Sequence, residues 1–69
     1  MPPKCQHQVG NLKQALLDFD NLLEHWRPWI DRDGPESAAA RQSVMDLAAS
    51  RAKIKAAKSE LARCYADTT

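Results

Sequence analysis

Residues 5–30, CQHQVGNLKQALLDFDNLLEHWRPWI, decide the fold. Within them Cys5, Val9, Leu12, Leu16, Phe19, Leu23, Trp26 and Ile30 recur with alternating steps of four and three. That rhythm keeps one apolar stripe of a helix turned toward a partner helix, as in a coiled coil. A second row, Ala15, Leu22 and Trp29, runs beside it. The apolar face is therefore wider than a two-stranded seam needs, and it implies a bundle.

The next signal is the break Asp31-Arg32-Asp33-Gly34-Pro35-Glu36. Adjacent Gly and Pro punctuate secondary structure strongly. Asp33 followed by Glu36 matches a capping box, with Pro35 in the first turn where its missing N–H costs nothing. Beyond the break the chain is rich in Ala, Arg, Lys, Glu and Leu, all good helix formers. Its expected seam is Ala40, Val44, Leu47, Arg51, Ile54, Lys58, Leu61 and Tyr65, with the cationic stems lying along the seam and their charges reaching outward. A row of small and flexible residues, Met45, Ala48, Ala49, Ala52 and Ala56, offers close approach to a further helix.

The fold read from this pattern is all-α: an antiparallel two-helix hairpin that dimerises into a four-helix bundle. Residues 1–69 form one domain, since 69 residues hold a single small core at most. Helix one is expected over about residues 3–30, the turn over 31–35 and helix two over about 36–65. Asn11 with Gln14 offers a later start for helix one, but Cys5 and Val9 fit the heptad and favour the early one. Pro28 clashes with the carbonyl of Glu24 in a regular helix, so a kink or an end is expected there.

Composition narrows the function more than it defines it. The net charge is +1, so no global field favours nucleic acid or a membrane. Residues 1–35 carry four basic and five acidic groups, and residues 36–69 six basic and four acidic. The difference offers a small bias toward antiparallel pairing of the halves. No apolar run reaches the roughly 20 residues that span a bilayer, and residues 1–7 lack a signal-peptide core. No membrane partner and a cytoplasmic location are the expectation, with an extracytoplasmic one if the two cysteines are bridged.

Those cysteines, Cys5 and Cys64, lie about equally far from Gly34 along the chain. A hairpin turning there brings them together, and a disulfide and a pair of free thiols are both open. Cys5, His7 and Cys64, with Asp67, meet at that end of the hairpin as candidate zinc ligands. The set falls short of a convincing site, and no metal or cofactor is expected. His25 has carboxylates near it, Glu24, Asp31 and Asp33, but no serine or thiol placed to act as nucleophile. The remaining carboxylates do not form the Glu and Glu-x-x-His pattern of a di-iron bundle. The chain reads as non-enzymatic.

Two features point to partners. Trp26, Pro28 and Trp29 cluster near the turn, where large aromatics either cap a core or anchor another protein. Leu16, Phe19 and Leu23 on the helix-one stripe are the other interaction candidates, for a second copy or a partner helical protein. Arg51, Lys55 and Lys58 form a local basic patch, with Lys53 on another side of the helix. They support the alternative, a small dimeric regulator that holds RNA or DNA through its phosphates.

Overall fold

The computed structural model describes residues 4–67, as two helices: α1, Gln6–Asp33, and α2, Ala38–Asp67. They run antiparallel, joined by the short connection 34–37, and no strand occurs among the described residues. The Cα framework is a flat slab of 51 × 17 × 10 Å, two helices wide and one helix thick.

The connection is set by two residues. Gly34 adopts φ 92°, a region that L side chains seldom enter, and its N–H bonds the carbonyl of Ile30 at 2.8 Å, closing the end of α1. Ser37 then starts α2. Its Oγ accepts the N–H of Ala40 at 3.1 Å and donates to the Gly34 carbonyl at 2.8 Å. The cap is therefore Ser37, and not the expected Asp33, which is still the last residue of α1. Ser37 wins because its hydroxyl can both accept and donate, which ties the cap to the turn.

The helix bounds correct the sequence expectation at several points. α1 continues through Pro28 to Asp33, so the turn begins at 34 and not at 31. Pro28 lies on the exposed side, away from α2, where a carbonyl deprived of its N–H partner meets water. α2 starts at Ala38, slightly later than expected, and ends at Asp67 and not 65. Gly10 lies inside α1, which begins at Gln6, so the start at Asn11 is not used. The expected first residue, Pro3, lies outside the described residues.

The seam between the helices is the largest correction. On α1 the inward positions are Cys5, Gln8, Leu12, Ala15, Phe19, Leu22 and Trp26, all buried or half-buried. On α2 they are Ala40, Ser43, Leu47, Ser50, Ile54, Ala57, Leu61 and Cys64. Each helix keeps a heptad rhythm, but only half of each expected seam takes part. Cys5, Leu12, Phe19 and Trp26 on the α1 side, and Ala40, Leu47, Ile54 and Leu61 on α2, lie where expected. Leu16, Leu23, Val44, Arg51, Lys58 and Tyr65 are exposed.

The other half of the α2 seam is a row of small residues: Ser43, Ser50, Ala57 and Cys64. They are placed inward because bulky α1 side chains need small neighbours to fill a layer without overlap. The Ser43 hydroxyl is fully accommodated, donating to the Ala40 carbonyl at 2.6 Å. Among the described residues no buried side-chain nitrogen or oxygen lacks a partner. The row expected to allow close approach, Met45 to Ala56, is exposed instead.

Candidate interaction face

A helix pair packed along one seam has two broad faces, and here they differ in chemistry. One carries Asn11, Gln14, Asp18 and Asn21 of α1 against Asp46, Lys53, Ala56 and Glu60 of α2. It is polar and mixed in charge. The other carries the α1 row Val9, Leu16, Leu23 and Ile30. Val9, Leu16 and Leu23 each follow an inward position by one residue and Ile30 continues the row, so all turn the same way out of the seam.

On this second face Leu23, Trp26, Ile30 and Leu47 line a shallow groove whose edge carries Glu24, Arg27 and Asp31. Leu16 and Leu23 remain 44% and 43% exposed, and Val44 on the α2 border 66%. Phe19, Leu47, Ile54 and Leu61 are half-buried and show through between the helices. The sequence stripe was therefore real as a pattern. It serves two surfaces: the inner half holds the hairpin together, and in the outer half Leu16 and Leu23 are exposed while Val9 and Ile30 are half-buried.

The cations gather on the α2 border of the same face. Arg51, Lys55 and Lys58 surround a depression that has Ile54 at its floor. Lys53 projects onto the polar face, as its helical position predicts. The Arg51 guanidinium lies 5.7 Å from the centre of the Phe19 ring, a cation–π contact across the helix pair.

At the turn end the two tryptophans have separate roles. Trp26 is half-buried, and its indole N–H donates to Asp46 Oδ2 at 3.1 Å. Gln42 donates to the other oxygen of Asp46 at 2.9 Å, which fixes the carboxylate from both sides. The His25 ring meets Trp26 edge-on at 5.0 Å. Trp26 thus fastens α1 to α2. Trp29 is 43% exposed, with the Arg32 guanidinium 4.4 Å above its ring. Pro28 is exposed beside it.

At the opposite end Cys5 and Cys64 form a disulfide, with Cα atoms 5.9 Å apart. Cys5 holds φ 67°, a left-handed conformation unusual outside glycine, and its carbonyl accepts the N–H of Val9 at 2.9 Å. Both sulfurs are thereby consumed, and the zinc set weighed from Cys5, His7 and Cys64 has no thiolates to offer. Among the described residues no group of three or more His, Cys, Asp or Glu is arranged to hold a metal ion. Among the described residues no helix is long and apolar enough to cross a membrane. The disulfide is consistent with an extracytoplasmic or secreted location, the branch of the sequence reading that applies when the cysteines are joined.

No family model matches this chain, and neither a curated protein nor a solved structure matches it significantly.

Proposed function

We propose that this protein is a non-enzymatic interaction module that works by self-association. Its apolar broad face docks on a second copy, and the two hairpins form a four-helix bundle. The observation that carries the reading is the outer row of α1: Leu16 and Leu23 stay exposed in the hairpin, on the same face as half-buried Leu47, Ile54 and Leu61. Exposed apolar residues rimmed by charged ones in this way mark an interaction surface.

Size supports the same partner. The slab measures 51 × 17 Å, a broad face of roughly 870 Å², close to the ~800 Å² per partner of a standard protein interface. A second copy has the same length and the same apolar strip, so it covers the face from end to end. Sedimentation equilibrium at micromolar concentration tests the proposal. The wild-type chain is expected to run as a dimer. The double variant Leu16→Lys, Leu23→Lys is expected to run as a helical monomer with its disulfide intact. A wild-type monomer over the whole concentration range refutes it.

The grouping of Arg51, Lys55 and Lys58 on one exposed surface favours a second reading, contact with the phosphates of RNA or DNA. Its signature is binding that weakens steeply with salt and is lost in the triple variant Arg51→Ala, Lys55→Ala, Lys58→Ala.

A further inference from the structure

We infer that the second copy docks with its turn at the same end as the first, the two-fold axis running parallel to the helices. This rests on the self-association proposed above and adds the arrangement of the partner. Two hairpins stack the same face about a two-fold axis in two ways. If the axis crosses the helices, the turns lie at opposite ends, and each helix lies over its own copy. If the axis runs along the helices, the turns lie together, and each α2 lies over the partner's α1.

The charges on the face distinguish the two. The α1 row Val9, Leu16, Leu23 and Ile30 is wholly apolar, whereas the α2 border carries Arg51 and Lys58, with Lys55 beside them. α2 spans Ala38–Asp67, so its midpoint falls beside Arg51. With turns at opposite ends, Arg51 therefore meets the partner's Arg51 near the axis, and the lysines of both copies crowd the same α2–α2 contact. Like charges brought together at an interface oppose association.

With turns at the same end, Arg51 and Lys55 lie over the apolar α1 row of the other copy, where their stems pack and their charges reach the rim. The partner's residues then sit at the same level along the slab as in the first hairpin. That level is fixed by the Cys5–Cys64 bond, the Phe19–Arg51 contact and the Trp26–Asp46 hydrogen bond. Asp20 falls at the level of Arg51, one turn beyond Leu16 on the same flank of α1. The partner's Asp20 thus meets Arg51, and the pair occurs twice; Lys58 falls at the level of the partner's Lys13, in the same row of α1 as Asp20, so the attraction is centred on Arg51.

Intermolecular distance decides between the arrangements. A spin label on a keto-bearing amino acid placed at exposed Glu36, beside the turn, leaves the native disulfide untouched. Pulsed dipolar spectroscopy on the dimer is expected to give a separation within roughly 30 Å, since helices of a bundle lie 8–10 Å apart. A separation near 51 Å, the length of the slab, overturns the inference while leaving self-association in place. A monomer with no dipolar signal overturns both. A charge exchange gives a second reading in solution. Arg51→Glu is expected to weaken dimerisation, and adding Asp20→Arg to restore it. An Asp20→Arg change that gives no rescue also overturns the inference.

Discussion

Removing the disulfide is the sharpest perturbation of the hairpin, and its magnitude follows from the closed loop. Cys5 and Cys64 are 59 residues apart in sequence, so the bond forbids the unfolded chain nearly all its end-to-end freedom. In the chain-entropy treatment a loop of that length is worth about 4 kcal/mol at room temperature. The folded side has little with which to replace it. Among the described residues the buried apolar ones are Cys5, Ala15, Ala40 and Ala57, all small, and no side chain is completely buried. A domain of this size shifts its melting temperature by roughly 4–8 °C per kcal/mol. The double variant Cys5→Ser, Cys64→Ser is therefore expected to melt more than about 15 °C below the oxidised protein. Circular dichroism at 222 nm, followed over a hundredfold range of concentration, reads both the loss and its cause. If self-association takes over as the main source of stability, the variant's melting temperature rises with concentration. A melting temperature within a few degrees of wild type would show that the helix seam alone holds the hairpin, and the reasoning here would be wrong.

Other substitutions probe the seam, the turn and the cap. Ser50→Leu forces a large side chain into the row that faces α1, and is expected to cost about 1–3 kcal/mol in chemical denaturation, whereas a core that welcomed the apolar group would gain stability. Trp26→Phe removes the N–H donated to Asp46 and is expected to cost on the order of 1–2 kcal/mol in the same assay. Trp29→Ala, at an exposed site, is expected to leave the melting temperature nearly unchanged, and a large drop would assign Trp29 to the core. Ser37→Ala is expected to cost about 1 kcal/mol, while Asp33→Ala, at the cap position suggested by sequence alone, is expected to cost much less.

The heptad rhythm of residues 5–30, the break at Gly34-Pro35 and the Ala-rich run after it determined a two-helix hairpin. These are local properties: periodicity selects the helix, and a glycine with positive φ ends it. The same symmetry about Gly34 put Cys5 opposite Cys64, and the bridge forms between them. What periodicity could not decide was which edge of a wide apolar stripe faces α2. A rotation by one position exchanges Ala15 and Leu22 for Leu16 and Leu23, and both rows are apolar. On α2 the heptad spacing pointed to Val44, Arg51, Lys58 and Tyr65, two of them cations, whereas the row that faces α1 is the small, uncharged one of Ser43, Ser50, Ala57 and Cys64. Steric fit between the helices decided it. Phe19, Leu12 and Trp26 require small neighbours, and a serine that bonds a carbonyl of its own helix can be buried at little cost. The same rotation left Leu16 and Leu23 exposed on a single face. The candidate site is therefore a product of tertiary packing, built from residues the sequence had already marked as apolar.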